Sequence, residues 1–241
     1  MWLFFAGLFA GVMDAIAGGG GLITLPALIL HVGPGAHAIG SNKIPGFLAA
    51  FTALVVYARR GHLEWRAGLG FSIAISLGAL MGSQVSPLFP AEAFRILLSA
   101  TVPLILGFVF FGKKLRPPTV TAHPATWKIG VTGLLVGFYD GAWGPGGGTF
   151  MFLGLLWVAG MEILPAMATA KLANSCSALF SGIGYWSAGR VRVDAGLWVA
   201  AGAVLGAWLG ARLATRQAER VARPALIGVA ALLLWRVWSQ P

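Results

Sequence analysis

Four ionisable side chains lie within long apolar segments, where charge is costly unless it faces a cavity or a partner. They are Lys43, Lys171, Asp14 and Asp140. A buried ammonium group can bind an anion. A carboxylate in a water-poor helix can carry a proton, because desolvation favours its neutral form. Two other interpretations stay open: the lysines could snorkel to the membrane interface, and the carboxylates could be structural, as caps or as lysine partners.

Hydroxyl and amide side chains accompany both lysines. Ser41 and Asn42 precede Lys43, while Thr169 and Asn174 flank Lys171 at helical spacing. Hydroxyls, amides and an ammonium group together suit a tetrahedral oxyanion. The predicted substrate-binding side chains are therefore Ser41, Asn42, Lys43, Thr169, Lys171 and Asn174.

Two glycine runs, at 18–21 and 146–148, interrupt apolar segments. Glycines free the backbone from helical geometry, and the half-helix that follows presents its N-terminal amides, which favour an anion. Close helix packing is the alternative interpretation. The predicted backbone contributors are Gly18, Gly19, Gly20, Gly21, Gly146, Gly147, Gly148 and Thr149.

These features belong to an internal repeat, since residues 7–82 reappear in altered form at 133–210. At an offset of 126, Asp14 matches Asp140; at an offset of 128, Lys43 matches Lys171. Paired interrupted apolar segments within a duplicated chain are typical of membrane transporters, whose binding site lies where the repeats meet.

Composition independently predicts a membrane protein. The chain is 58% apolar and 10% charged, with a mean hydropathy of +0.82. Apolar stretches near the bilayer length of about 20 residues suffice for six or more spans, and such spans must be helical. We therefore expect an all-α polytopic protein of the cytoplasmic membrane, without a cleaved signal peptide.

Other classes of protein fit poorly. The net charge of +10 resides in short loops, as the positive-inside rule expects, and not in the aromatic-lined stripe that nucleic acids need. One cysteine, Cys176, and four histidines near loops give no metal-ligand spacing. No nucleophile–base pair is evident. The sequence predicts no enzyme, metal, cofactor or nucleic-acid partner.

Each repeat contains four apolar elements. We predict repeat one at 1–111, a cytoplasmic linker at 112–127 and repeat two at 128–241. The matched elements are 2–31 with 129–160, 38–58 with 163–187, 66–87 with 194–211, and 93–111 with 222–238.

The length of the first element predicts its topology. As one straight helix, 2–31 would be about 45 Å long, against a bilayer core of about 30 Å. We therefore expect a re-entrant first element followed by three spanning helices, which inverts the second repeat relative to the first. Inversion places 11 loop Lys and Arg inside and 4 outside, against 10 and 5 for a parallel arrangement. A parallel arrangement thus stays open.

The motifs resemble those of the TauE/SafE family of sulfite and organosulfonate exporters. The resemblance covers nearly the whole chain. It rests on G-G-G-G-L-I-T-L-P-A-L and A-I-G-S-N-K in the first repeat, and on D-G-A-W-G-P-G-G-G-T-F and A-T-A-K-L-A-N in the second. It implies export of sulfite or a related small sulfur oxyanion or organosulfonate, by proton-coupled alternating access.

Several alternatives stay open beside this resemblance. An anion channel, or an uptake permease for another small anion, would share such a site. The expected partners are a small anion and the lipid bilayer, with homo-oligomerisation left open. The half-sites also differ, because Pro45 and Gly46 stand where the second repeat has Ala173 and Asn174.

Overall fold

The computed structural model describes residues 1–89 and 126–239, and all regular elements in those two ranges are helical. This confirms the all-α prediction. The predicted element 93–111 and almost all of the linker 112–127 lie outside the described residues. The helices are α1 (Trp2–Ala17), α2 (Gly21–Val32), α3 (Ala36–Ala58), α4 (Trp65–Val85), α5 (Thr126–Ala142), α6 (Gly147–Trp157), α7 (Ile163–Ser187) and α8 (Val193–Ser239), with a 3₁₀ turn at Ser86–Leu88.

The glycine runs break the first element of each repeat where the sequence predicts a break. Gly18 has φ +79° and separates the 16-residue α1 from the 12-residue α2. Gly144 and Gly146, with φ +88° and +79°, separate α5 from α6. These left-handed conformations suit glycine because it has no Cβ. The half-helices α1, α2 and α6, with 16, 12 and 11 residues, are too short to span a bilayer by themselves.

The predicted break between the elements 194–211 and 222–238 is a kink and not a loop. The helical segment that we call α8, Val193–Ser239, consists of two helices that meet at the non-helical residue Gln217, at φ −145° and ψ 43°. The segment is rich in Ala, Arg and Leu, which are strong helix formers. Charge alone therefore does not end the helix, and Gln217 kinks it instead.

Three helical segments in the described ranges are long and apolar enough to cross a membrane: Ala36–Ala58, Gly68–Leu88 and Val193–Gln217. The 25-residue α7 is not among them, because Lys171, Asn174 and its serines lower its hydropathy. Large apolar side chains such as Phe5 and Trp198 are more than half exposed, as expected where the surroundings are lipid.

Helices α1 and α8 pack in parallel with their backbones in contact. A Cβ on Gly7 would collide with the carbonyl oxygen of Val199, and a Cβ on Gly11 with that of Ala203. The residue numbers increase together, so the helices run in the same direction. Small residues permit this close approach, as in other membrane helices.

The repeat mates of these helices make the equivalent contact. In α5, Gly137 lies against Ile75 of α4, and Gly141 lies against Ala79. These helices are also parallel to each other. Each broken helix therefore packs against the third element of the other repeat.

The remaining contacts fix the relative direction of the helices. Gly40 and Gly46 of α3 lie against Tyr185 and Ala178 of α7, so α3 and α7 are antiparallel. Helix α8 runs parallel to α3, because Gly196 lies against Ser41 and, further along both helices, Trp208 and Arg212 line one cavity with Val56 and Arg59. Helix α7 runs parallel to α4, because Gly68 lies against Thr169 and Gly184 lies against Ser83. Helices α1, α3 and α8 therefore run one way, and α4, α5 and α7 run the other.

Both broken elements return to the end of the bundle where they began. One apolar cluster joins Leu3 of α1, Leu28 of α2 and Ile39 of α3, and we call its position the Leu3 end. A second cluster joins Ile129 of α5 and Leu155 of α6, with Tyr57 at the end of α3 and the first turns of α7. We call this opposite position the Tyr57 end.

Candidate functional site

Two buried ion pairs connect the repeats reciprocally. Lys43 Nζ lies 3.1 Å from Asp140 Oδ2, and Lys171 Nζ lies 2.8 Å from Asp14 Oδ2. No side chain of the four is more than 10% exposed. Each lysine comes from the unbroken helix of one repeat and each aspartate from the broken helix of the other. The structure therefore brings together the four ionisable residues singled out in the sequence.

The lysines also bind the ends of the broken helices. Lys43 donates to the backbone oxygen of Asp140 at 2.6 Å, and Lys171 donates to that of Asp14. Because each broken helix ends within one turn of its aspartate, its last carbonyls carry negative partial charge. An ammonium group there stabilises both the carboxylate and the helix end.

The two carboxylates differ in their second partner. Asp14 Oδ1 accepts a hydrogen bond from the backbone amide of Gly20 at 3.3 Å, so it caps the start of α2. Asp140 Oδ2 instead accepts one from the hydroxyl of Ser177 at 2.6 Å. The repeat mate of Ser177 is Ala49, which has no hydroxyl. The two half-sites are thus chemically unequal.

A cavity of about 40 Å³ lies between the two broken helices and the lysine-bearing helices. A water molecule requires roughly 10–15 Å³ on this measure, so the space holds about three waters. Lys43, both aspartates and the amides of Asn42 and Asn174 line it, but Lys171 does not. The remaining wall is glycine, alanine and proline with Thr24. Its size and composition suit a compact polar solute.

The predicted site residues divide into two groups by position. Those that line the cavity are Asp14, Gly18, Gly20, Gly21, Asn42, Lys43, Asp140, Gly148 and Asn174. Those that lie outside its wall are Gly19, Ser41, Gly146, Gly147, Thr149, Thr169 and Lys171.

Three predicted hydroxyls point to other places. Ser41 Oγ donates to the carbonyl of His37 at 2.6 Å and accepts from the amide of Arg192 at 2.8 Å, which links α3 to the segment before α8. Thr149 Oγ1 donates to the carbonyl of Ala17 at 2.9 Å, across the two broken helices. The Thr169 hydroxyl is buried and has no hydrogen-bond partner among the described residues.

The glycine runs combine close packing with an open wall. A Cβ on Gly20 would lie 2.6 Å from the Cβ of Asp14, and a Cβ on Gly147 would collide with the Asp140 carboxylate. A Cβ on Gly21 would lie 3.6 Å from the Asn42 side-chain nitrogen, which is ordinary van der Waals contact. Packing of the carboxylates thus requires glycine at 20 and 147, whereas Gly21 borders free space.

Sequence reasoning missed two tyrosines that secure this arrangement. Tyr57 donates to the carbonyl of Ala15 at 2.8 Å, and Tyr185 donates to that of Gly141 at 2.9 Å. Both are fully buried. Each connects the lysine-bearing helix of a repeat to the broken helix of the same repeat. The two tyrosines are 128 residues apart, as Lys43 and Lys171 are, and this equal spacing could have identified them as a matched pair.

No cluster of three His, Cys, Asp or Glu that could hold a metal ion occurs within 1–89 or 126–239. The charged atoms near the cavity are instead two ammonium groups and two carboxylates. Direct hydrogen bonding and ion pairing are therefore the chemistry that this part of the chain offers to a solute.

Comparison with known proteins finds one matching family model and several similar sequences. The family model described as sulfite exporter TauE/SafE matches residues 3–237. A probable membrane transporter protein, ORF9, of Sinorhizobium sp is 33% identical over 100% of this chain and 92% of the relative. A probable membrane transporter protein of Haemophilus influenzae is 31% identical over 93% of this chain and 89% of the relative. The probable membrane transporter protein YfcA of Escherichia coli is 30% identical over 96% of this chain and 86% of the relative. No solved structure matches the chain.

Proposed function

The chain belongs to the sulfite exporter TauE/SafE family of membrane transporters, and from this premise we propose that it exports sulfite or a related small sulfur oxyanion or organosulfonate. It is a transporter and not an enzyme. We place it in the cytoplasmic membrane and assign it an alternating-access mechanism, in which the two repeats move relative to each other around the cavity.

The pair between Lys43 and Asp140, at the wall of the cavity, carries this proposal. It supplies the cationic group that an anion needs, at a position contacted by both repeats. Asn42 and Asn174 add side-chain amide groups around it. A site shared by two halves can be exposed to either side when the halves move.

The charge balance of the site supports proton coupling. Two ammonium groups face two carboxylates, so the cluster is neutral overall. An added anion would be an uncompensated buried charge, which is strongly unfavourable. Protonation of Asp140 removes one negative charge and frees Lys43 for the anion. Proton and anion therefore bind to the same state and cross the membrane together.

With this coupling, the concentration gradients of the anion and of the proton together set the direction of flux. A monovalent anion that moves with one proton transfers no net charge, so the membrane potential contributes little. A high cytoplasmic concentration of the anion drives export, and an inward proton gradient opposes it. Export is thus expected when the anion accumulates inside the cell.

Opposite helix directions in the two halves support inverted repeats. Helix α1 runs opposite to its mate α5, α3 opposite to α7, and α4 opposite to α8. Loop charges favour the Tyr57 end as cytoplasmic. Among residues 1–89 and 126–217, that end carries Arg59, Arg60, Arg66, Lys128, Arg212 and Arg216, while the Leu3 end carries Arg190 and Arg192.

A proteoliposome assay tests the proposal. Uptake of sulfite, sulfate, thiosulfate and sulfoacetate would be compared with and without an imposed pH difference, using protein-free vesicles as the control. We expect saturable uptake of sulfite that an acidic exterior accelerates. Non-saturating flux without accumulation would indicate an anion channel, and absence of transport for all four anions would contradict the substrate class.

A further inference from the structure

A second cavity, which shares no lining residue with the first, lies at the Tyr57 end of the described helices. Its volume is about 340 Å³, and it forms between the C-terminal half of α3 and the middle of α8. Its lining residues are Phe51, Thr52, Val55, Val56, Arg59, Arg60, Trp208 and Arg212. We call it the arginine groove.

Positive charge is concentrated at one end of the arginine groove. Arg59, Arg60 and Arg212 line it, and no acidic residue does. None of the three forms an ion pair within the described residues, where the ion pairs involve other side chains. All three are exposed, so their guanidinium groups are accessible to an anion.

The geometry of Arg212 suits a phosphate group. Its guanidinium carbon lies 3.6 Å from the centre of the Trp208 ring, which holds the planar group in one orientation by a cation–π contact. An oriented guanidinium presents paired N–H donors that match two phosphate oxygens. A flexible solvated arginine would gain less from such a ligand.

Apart from Thr52, whose hydroxyl donates to the carbonyl of Leu48, the rest of the arginine groove is apolar. Phe51 is 48% exposed and lies two helical turns before Arg59 on α3, a distance of about 12 Å along the axis. Val55, Val56 and the Trp208 ring complete this wall. A small inorganic anion would not contact such a wall, whereas an acyl chain attached to a phosphate would.

The repeat supplies an internal comparison. The positions equivalent to Arg59, Arg60, Trp208 and Arg212 are Ser187, Ala188, Leu80 and Gln84, at the Leu3 end. The same pair of elements therefore packs there without a cationic side chain or an indole at these positions. The fold does not require the arginines. The positive-inside rule accounts for basic residues at this end, but the contact of Arg212 with the Trp208 ring and the adjoining apolar wall distinguish the arginine groove from an ordinary charged loop.

We propose that the arginine groove binds an anionic phospholipid, with its phosphate on the three arginines and an acyl chain along Phe51, Val55 and Trp208. A basic pocket between membrane helices is a known form of lipid-headgroup site. The site is independent of the anion cavity. It joins α3, which carries Lys43, to α8, on which α1 packs.

Native mass spectrometry of the full chain in detergent tests this site. The protein would be titrated with phosphatidylglycerol and with phosphatidylcholine of identical acyl chains, and separately with glycerol phosphate. We expect at least tenfold tighter retention of phosphatidylglycerol than of phosphatidylcholine, and no retention of glycerol phosphate. The triple substitution R59Q/R60Q/R212Q should abolish this preference, and Trp208→Leu should weaken retention of phosphatidylglycerol several-fold.

The matched control is R190Q/R192Q, which removes two arginines from the Leu3 end and should leave the preference intact. Size-exclusion profiles would verify that every variant stays folded. If the triple variant does not fold, R212Q alone is used to test the loss of preference. Equal retention of both lipids by the unmodified protein would overturn the proposal. So would a preference that survives R212Q and the triple substitution, or tight retention of glycerol phosphate without any acyl chain.

Discussion

Lys43 Nζ and Asp140 Oδ2 lie 3.1 Å apart although 97 residues separate them in the chain, and both residues border the cavity. The equivalent lysine of the other pair, Lys171, is 2% exposed and lies outside the wall. Of the two lysines in matching sequence positions, one thus lies next to the cavity and the other is enclosed. We expect the two lysines to differ in function.

Lys43→Ala should weaken sulfite binding at least tenfold, whereas Lys171→Ala should mainly lower thermal stability. Loss of Lys171 leaves the Asp14 carboxylate buried without its partner, at a cost of about 3–5 kcal/mol. Binding would be measured by calorimetry and stability by thermal unfolding in detergent.

Neutral double variants separate the two effects. Lys171→Ala with Asp14→Asn should recover stability and keep sulfite binding, whereas Lys43→Ala with Asp140→Asn should stay unable to bind. Unchanged binding in both single lysine variants would reassign the lysines to structural roles.

Asp140→Asn should uncouple transport from protons. The amide keeps the shape of the carboxyl group and cannot titrate, so Lys43 is free at any pH. The variant should exchange labelled sulfite at equal concentrations but fail to accumulate it under a pH difference. Asp14→Asn is the comparison, because its carboxylate also caps α2. Retention of pH-driven accumulation by both variants and by their combination would make the carboxylates purely structural.

Gly21→Ala should lower anion affinity without loss of stability. The added methyl group fits without collision and occupies space at the cavity wall. Gly20→Ala should instead reduce the yield of folded protein, because its Cβ would meet Asp14. Gly70→Ala is the matched control, since no atom lies within 4 Å of its added Cβ. Normal affinity in Gly21→Ala would show that the anion binds elsewhere.

Cysteine labelling tests the inverted topology. In a Cys176→Ser background, Ala188→Cys at the Leu3 end should react with an impermeant thiol reagent from outside the cell, and Glu64→Cys at the Tyr57 end only after permeabilisation. Both positions are exposed, and neither requires a positive φ. Gly189, next to Ala188, is unsuitable for this purpose, because its φ of +67° would strain a side chain. Reaction of both cysteines from the same side would contradict the assigned ends.

Local features of the fold were predictable because local chemistry dictates them. Glycines at 18 and 144 adopt backbone conformations that other residues rarely adopt, so the breaks are visible in the sequence. The partners of Lys43 and Lys171 were not predictable, because pairing over 97 and 157 residues depends on how the repeats interlock. Ser41 shows the same limit, since its hydroxyl joins the amide of Arg192 and not the cavity.

The continuation of α8 through 211–222 was missed for a different reason. Charged residues at 212 and 216 suggest a loop between two membrane spans. A helix that extends beyond the bilayer can carry such residues in water, however, so charge marks the membrane boundary and not the end of the helix. Gln217 provides the change of direction that a loop would otherwise supply.

The contact between Gly11 and Ala203 has a consequence for biosynthesis. Most of the chain separates these residues, and within 1–89 and 126–217 the glycine face of α1 packs most closely on α8. At a synthesis rate of about 5–20 residues per second, α1 waits roughly 10–40 s for α8 to emerge. During that interval its exposed backbone groove faces lipid or the insertion machinery. Mutations that slow the insertion of α8 should therefore lower the yield of protein by exposing a nascent N-terminal half to proteolysis, even where the mature transporter is fully stable.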